Sequence, residues 1–478
     1  MIGRGDPRQV RVRPSYRRRL ARGISRLAFA LTVVAAFAAG VMTGHSPITF
    51  SGGASQTGTA FSEQPGYQTL EDTWNVVSSE YVDFGNVDPI EVFRGASAGL
   101  VDGLGDTGHS RFLTPDQAKD FFAASNGELI GIGVQIRTTG QEIVFGGVID
   151  GGPAADAGVQ RGDVVLALNG DDVTGLPLDE LDKYFDGIDG SPISVEIYRP
   201  TTGKTLTFDL VQRKVEVKPV SWTMLPDHIA LVRLSAFTKG SANDLRAAIG
   251  ETAAAGAVGL VFDLRDNGGG LVEEARLIAS QFLPEGTLIF REKDADGTVK
   301  EYLTDGGGLA LNVPLVVLVN RNTASAAEII AAALSDAGRA EVVGQTTFGT
   351  GTILYPQPLD DGSYVVIGFG LWQPPAGEVI WREGFKPDQE VLLDYGRLPF
   401  IPGDGPTTSS QQLDAAGDSQ VDAALLDLTQ PDGGTPEASD KPNATPPFGS
   451  DGASHRISGA VAGPQAYALE MGLVGGLH

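Results

Sequence analysis

The chain has 478 residues, of which 41% are hydrophobic and 20% charged, and this length fits about three globular domains rather than one. It contains no cysteine, which excludes disulfides and a cysteine nucleophile, and its five histidines lie too far apart for a histidine metal site, so we expect no metal and no other cofactor. The formal net charge is −25, and because the first 26 residues hold nine arginines and one aspartate, the remainder is more acidic still and is a poor surface for nucleic acid.

An uninterrupted apolar segment follows this basic arm. Residues 27–42 have the sequence LAFALTVVAAFAAGVM. Because arginines cluster on its amino side, the pattern predicts a signal anchor at residues 27–43, a cytoplasmic arm at 1–26, and a single-pass membrane protein whose folded part is extracytoplasmic. A cleaved signal peptide, with a small-x-small site at residues 36–38, is the alternative and gives the folded part the same location. The surroundings of Arg17-Arg18-Arg19 suit a twin-arginine export signal less well.

Two regions follow the anchor. Residues 44–65 are rich in Gly, Ser and Thr, which predicts a flexible linker. Residues 66–128 predict two or three short helices, because apolar residues recur there at helical spacing. The first such residues are Leu70, Trp74, Val77 and Tyr81.

The rest of the chain predicts an α/β multidomain protein. Residues 129–213 combine five short β-rich runs with two small helices, at 153–157 and 178–185, in one compact module. Strands and helices alternate in residues 214–396, which predicts an α/β core with mainly parallel strands. In this core Ser241 and Asp244 have the spacing of a capping box. Residues 397–478 predict a linker, a short helix at 419–428 and a disordered tail.

A serine lies at one junction of strand and helix in this core. The run PLVVLVN (314–320) leads directly into a helix, so that Ser325 falls in the first turn of that helix. Backbone N–H groups and the positive helix terminus at such a place suit an oxyanion that develops beside an attacking hydroxyl. The alternative is that Ser325 only caps the helix.

A second strand end carries the sequence DLRDNGGG (263–270). Three glycines between a strand and a helix let the backbone approach a ligand and expose its N–H donors. The alternative is a plain turn, and a phosphate loop is disfavoured because no Gly-Lys-Ser/Thr follows. In an α/β sheet, two such strand ends in one crevice form a typical ligand site.

The β-rich module has its own candidate binding site. Gly131, Ile132, Gly133 and Val134 open one of its strands. A Gly-x-Gly-apolar turn at this place can donate N–H bonds to a peptide carboxylate while the strand edge pairs with the peptide.

These motifs together resemble known families. GIGV, GGPAADAGVQRGDVVLALNG and DVTGLPLDEL resemble a PDZ domain of the bacterial protease type. LVDGLGDTGHSRFLTP, DLRDNGGGLV, NTASAAEIIAAAL, VVGQTTFGTG and EGFKPD resemble the carboxyl-terminal processing peptidases, also called tail-specific proteases, and the resemblance covers about residues 67–391. It implies a serine and lysine endopeptidase in which a PDZ domain receives the C-terminus of a substrate and gates an α/β core.

The resemblance also implies roles for single residues. The family nucleophile falls on Ser325, and the N–H of Ala326 becomes one oxyanion donor. The family's Asn-Pro-Gly-Gly turn falls on residues 267–270, so Gly269 supplies the second donor, and Gly268 stands in the place of the proline.

The chain departs from the family at the general base. Thr350, in Phe-Gly-Thr-Gly, occupies the place of the catalytic lysine, and Leu354 occupies the place of the glutamine that helps to hold it. A serine hydroxyl attacks an amide only if a base takes its proton, and loss of a general base typically costs about 10² to 10⁴ in rate.

Two hypotheses follow. In the first, the protein is a serine peptidase that cleaves the C-terminal ends of extracytoplasmic proteins at Ser325, either slowly or with a substitute base. Lys239 is the first candidate base and His109 a weaker one, whereas His228 opens a strand and is interpreted as structural. In the second, the protein is a pseudopeptidase, a membrane-tethered scaffold that binds C-terminal segments of exported or unfolded proteins, or regulates another protease. Assembly into a homo-oligomer stays open under both.

Overall fold

The computed structural model describes residues 60–429, except 107–109, 140–141, 177–179, 186–188, 379, 395–396 and 404–406. The predicted arm, the anchor at 27–43 and the tail beyond 429 lie outside the described residues. The end of the predicted linker forms a short 3₁₀ helix, Phe61–Glu63. Within the described ranges, no helix has the length and apolar character that crossing a membrane requires.

Three helices and one short strand form the N-terminal region: α1 (Tyr67–Glu80), α2 (Pro89–Asp102), β1 (Arg111–Leu113) and α3 (Pro115–Ser125). Local capping explains where two of them begin. Asp88 accepts a hydrogen bond from the N–H of Ile90 at 2.9 Å, and a proline follows at the first position of α2. Thr114 and Gln117 form a reciprocal capping box at the start of α3.

A β-rich module follows: β2 (Glu128–Gly131), β3 (Val134–Thr139), β4 (Glu142–Val148), α4 (Pro153–Asp156), β5 (Val164–Leu168), β6 (Asp171–Asp172), α5 (Asp182–Phe185), β7 (Pro192–Arg199), β8 (Lys204–Val211) and β9 (Arg213–Glu216). Its main sheet has the strand order β3-β4-β5-β7-β8, with β6 beside β5, and β2 pairs separately with β9. The neighbouring strands are antiparallel, and β3 lies at one edge. The GIGV turn leads directly into this edge strand.

The α/β core contains the remaining elements: β10 (Val220–Met224), β11 (Ile229–Leu234), α6 (Ser241–Ala254), β12 (Gly259–Asp263), α7 (Val272–Phe282), β13 (Leu288–Asp294), β14 (Val299–Leu303), β15 (Leu315–Val319), α8 (Ala326–Asp336), β16 (Glu341–Gly344), β17 (Thr352–Pro358), β18 (Tyr364–Gln373), β19 (Gln389–Glu390), α9 (Ser410–Ala416) and α10 (Ser419–Thr429). Its central sheet has the order β10-β11-β12-β15-β16-β19. All neighbours from β11 to β19 are parallel, and only β10 is antiparallel. A second, antiparallel sheet joins β1, β18, β13 and β14, and β17 pairs with β18.

The central sheet is buried on both faces, because successive strand residues point to opposite sides. On one side Phe262 and Val317 pack against α6, α7 and α8. On the other side Val261 and Leu318 pack against α9 and α10. The helix predicted at 419–428 is thus part of the core rather than an appendage. Since β12 and β15 are parallel neighbours, their carboxyl ends meet at one edge of the sheet.

The expected capping box at Ser241 is wrong. Helix α6 starts there, but Gly240 occupies the N-cap position with φ +90°. The carboxylate of Glu274, on α7, accepts the N–H bonds of Gly240 at 2.7 Å and of Ala242 at 2.8 Å. A side chain from another helix therefore accepts the free N–H groups at the start of α6. The spacing of residues near Ser241 could not indicate this distant partner.

Candidate active site

Ser325 lies where the turn after β15 enters α8. Its backbone has φ 55° and ψ −121°, an uncommon conformation for a residue with a side chain, and the residue is 7% exposed. The turn before it is fixed by Thr323, whose hydroxyl donates to the carbonyl of Leu264 at 2.9 Å. Ser325 occupies the N-cap position of α8. Such strained positions commonly occur at functional sites, where the surrounding structure holds them.

The glycine turn after β12 packs directly against Ser325. Asn267 is fully buried; its side chain donates to the carbonyl of Leu234 at 2.8 Å, and its own carbonyl accepts the N–H of Ala324 at 2.9 Å. Gly269 has φ +97°, and a Cβ added there would lie 2.8 Å from the Cβ of Ser325. Glycine is therefore required at 269 for both conformation and space.

The two expected oxyanion donors are adjacent but differ in their present bonds. A Cβ added to Gly269 would lie 2.9 Å from the nitrogen of Ala326, so the two residues are close neighbours. The N–H of Ala326, in the first turn of α8, meets no acceptor among the described residues. The N–H of Gly269 donates to the side-chain oxygen of Asn267 at 2.8 Å. Binding of an oxyanion by Gly269 would require that bond to be exchanged.

Glu328 joins the serine to the loop that carries Thr350. Its fully buried carboxylate accepts the N–H of Ser325 at 2.8 Å, the N–H of Gly349 at 2.8 Å and the N–H of Thr350 at 2.9 Å. It also accepts the hydroxyl of Thr347. Burial raises the pKa of Glu328 to about 7, although these four donors act in the opposite direction.

Sequence reasoning did not single out Glu328. The available signal was one charged residue three positions after Ser325, in the otherwise apolar helix AAEIIAAAL. A carboxylate at that spacing can reach back to the N–H of the N-cap residue, as it does here.

Thr350 and Leu354 are both enclosed by packed neighbours. Thr350 is 3% exposed, and its carbonyl accepts the indole N–H of Trp372. Leu354, on β17, packs into an apolar cluster with Phe121 and Val366. The side chain of Leu354 thus lies in apolar surroundings, at the place that the resemblance assigns to a glutamine.

The candidate substitute bases lie in different places. Lys239 is exposed, and its backbone N–H donates to the carbonyl of Ser125 at 3.1 Å. Among the contacts of the described residues, none joins Lys239 to Ser325. His109 lies outside the described residues. His228 is exposed and precedes β11, at the sheet edge opposite to Ser325.

An ion pair connects the β-rich module to the glycine turn. Arg137, on β3, pairs with Asp266, the residue before Asn267. Asp266 has φ +59° and accepts the side-chain amides of Asn320 and Asn322, each at 2.9 Å. Burial raises the pKa of Asp266, but the positive charges of Arg137 and Arg233 outweigh burial and hold it well below its usual range.

The GIGV turn is built around two engaged carbonyls. The carbonyl of Ile132 accepts the N–H of Ala154 at 2.9 Å, and that of Gly133 accepts the N–H of Ile149 at 2.8 Å. Gly133 has φ +76°, and a Cβ added there would lie 3.1 Å from the Cα of Gly152. These bonds hold the segment from Gly131 to Val134 at the start of the edge strand β3. Among the described residues, no group of His, Asp and Glu is arranged to hold a metal ion.

A PDZ-like module joined to an α/β core, with a serine at a strained turn beside a glycine loop, defines a class of serine peptidases. Comparison with known proteins agrees. A model of peptidase family S41 matches residues 228–391, and a PDZ model matches residues 144–199. The chain belongs to peptidase family S41, among the carboxyl-terminal processing proteases.

Individual relatives carry corresponding names. The chain is 31% identical to the carboxy-terminal processing protease CtpA of Bacillus subtilis (strain 168), over 71% of this chain and 72% of that protein. It is 33% identical to the carboxyl-terminal-processing protease of Synechocystis sp., over 68% of this chain and 74% of that protein. A solved structure titled photosystem II D1 C-terminal processing protease is 29% identical, covers 68% of this chain and 87% of its own, and has a TM-score of 0.48.

Proposed function

We propose that this protein binds the C-terminal ends of extracytoplasmic proteins through its PDZ domain and that its serine site does not hydrolyse them. The observation that carries this proposal is Thr350 in the place of the base. The carboxylate of Glu328 accepts its backbone N–H, and no lysine or histidine of the described residues is hydrogen-bonded to Ser325. Without a proton acceptor, the hydroxyl of Ser325 is a weak nucleophile.

The PDZ part of the proposal rests on the GIGV turn and the edge of β3. Among the described residues β3 pairs only with β4, so its other edge can accept an extended peptide. The turn from Gly131 to Val134 would then bind the peptide carboxylate through its N–H groups. In this proposal the apolar segment 27–43 tethers the protein to the membrane and the folded part is extracytoplasmic.

A second candidate function is slow hydrolysis at Ser325. Three features of a hydrolytic site are present: the strained backbone of Ser325, the N–H of Ala326 that meets no described acceptor, and Gly269 in contact with both. This hypothesis requires a base that approaches when substrate binds. Lys239 is the first residue to replace in a search for it.

Incubation of the full chain, in detergent micelles, with an unstructured protein that has an apolar C-terminus separates the two functions. Under the first proposal the substrate stays intact with both the native chain and Ser325→Ala, and both bind it with equal affinity. Cleavage by the native chain that is lost in Ser325→Ala would refute the first proposal and support the second.

Peptide binding tests whether the GIGV turn binds a C-terminal carboxylate. A peptide with a free C-terminal carboxylate should bind the full chain, and the same peptide with an amidated C-terminus should not, because the amide lacks the negative charge that the N–H groups receive. Equal affinity for both peptides would exclude recognition of the carboxylate at the GIGV turn.

A further inference from the structure

Arg265 lies immediately before the glycine turn and has no exposed surface. Its guanidinium binds Asp263 through two hydrogen bonds of 2.9 Å. It also donates to Asp418 at 2.6 Å, to Gln420 at 3.1 Å and to the carbonyl of Phe400 at 3.0 Å. Most of its hydrogen-bonding capacity is therefore used, and three of its four partners come from the C-terminal part of the core.

Asp418 is the second carboxylate of this buried group, and it is needed for charge balance. Asp263 serves two arginines, because Arg233 also donates to it, at 3.1 Å. Without Asp418, Asp263 would be the only carboxylate among the described residues that is hydrogen-bonded to Arg265, and Asp263 would still be shared with Arg233. A buried charge that loses its partner strongly destabilises the structure around it.

Asp418 also organises the chain around itself. Its carboxylate accepts the N–H of Phe400 at 2.7 Å, that of Gln420 at 3.1 Å and that of Val421 at 3.2 Å. These bonds begin α10 and fasten the segment before it. The S41 family model ends at residue 391, so that Phe400, Asp418 and Gln420 lie beyond the matched region.

The buried arginine is linked to the serine through three neighbouring residues. Asn267, two positions after Arg265, receives the N–H of Ala324 and that of Gly269. Gly269 in turn contacts Ser325. A displacement of Arg265 would therefore be transmitted along the backbone to the surface against which Ser325 packs.

We propose that Asp418 is a positioning residue for the serine site: it holds Arg265 and thereby keeps the glycine turn in contact with Ser325. This role does not depend on whether the site hydrolyses peptides. It assigns a function at the site to the C-terminal segment 398–421.

Hydrogen exchange of the full chain, followed by mass spectrometry, tests this role without relying on activity. Asp418→Asn removes the charge with little change of shape. We expect exchange in peptides covering residues 264–270 and 322–328 to become about tenfold faster or more, while peptides from β15 keep their native rates. Faster exchange confined to α10 would overturn the proposal, since Asp418 would then only cap that helix.

Val421→Ala is the matched control. Val421 lies on the same helix, is fully buried and packs in the apolar cluster that contains Val261 and Leu318, and its side chain has no polar atom to bind Arg265. It should loosen α10 and leave the glycine turn unchanged, and equal effects of both variants would refute a role for the ion pair. If Asp418→Asn does not fold, Gln420→Ala, which removes one bond to Arg265, is measured instead, and native exchange at the turn would refute the proposal.

Discussion

Glu328 should make the free energy of unfolding of this protein fall as the pH rises. Its pKa in the folded protein is raised from 4.5 to about 7, so the folded state keeps a proton that the unfolded chain loses at lower pH. The stabilisation is fully present below about pH 4.5 and is lost as the pH rises through about 7. At about 1.36 kcal/mol per pKa unit, this rise corresponds to about 3 kcal/mol.

Glu328→Gln removes the titrating group but keeps the size of the side chain. Glutamine has one acceptor oxygen for four donors, so we expect the variant to be less stable than the native chain at every pH. The gap between the two should be largest near pH 4.5 and should narrow by about 3 kcal/mol by pH 8, because only the native chain loses stability over this range.

Urea unfolding of both full-length chains, followed by tryptophan fluorescence from pH 4.5 to 8, measures this difference. Other titrating groups contribute equally to both chains and cancel in the comparison. Parallel stability profiles would refute the reasoning, because they would mean that the four donors keep Glu328 ionised in the folded protein throughout.

Three further predictions concern the site. Restoring the family residues with Thr350→Lys and Leu354→Gln should raise peptidase activity at least about 10²-fold, and no gain over the native chain would mean that the crevice differs at more than these two positions. Gly269→Ala should lower the free energy of unfolding by about 1 to 3 kcal/mol because of the positive φ, and by more because the added Cβ would contact the serine. Gly286→Ala is the control, since Gly286 also has a positive φ but has open space for a Cβ, so only the backbone effect is expected there. Equal decreases in the thermal unfolding temperature of the two variants would contradict the close contact at Gly269. Arg137→Ala should destabilise the protein by up to about 3 to 5 kcal/mol at pH 7, because the buried carboxylate of Asp266 loses the arginine that pairs with it and keeps only the charge of Arg233. That cost should shrink toward low pH, since the stability contributed by the depressed pKa of Asp266 is lost as the pH falls, and a loss independent of pH would count against the ion pair.

Much of the candidate site was predictable because its parts are local. A serine after one apolar strand and three glycines after another indicate two neighbouring strand ends, since parallel strands bring their carboxyl ends to the same edge. The structure has both, with Gly269 against Ser325. The sequence also indicated that a threonine replaces the basic residue, because that substitution lies within a short motif.

The sequence by itself therefore determined the family and the alternation of strands and helices that builds the parallel part of the central sheet, and it indicated a threonine at the place of the family's base. Only the tertiary structure decided how the glycine turn is held, because the groups that hold it come from distant parts of the chain. Arg137 reaches Asp266 from the β-rich module, and Asp418 reaches Arg265 across 153 positions. Periodicity and spacing describe neighbours along the chain, whereas a buried charge takes whichever partner the packing of the whole domain brings to it.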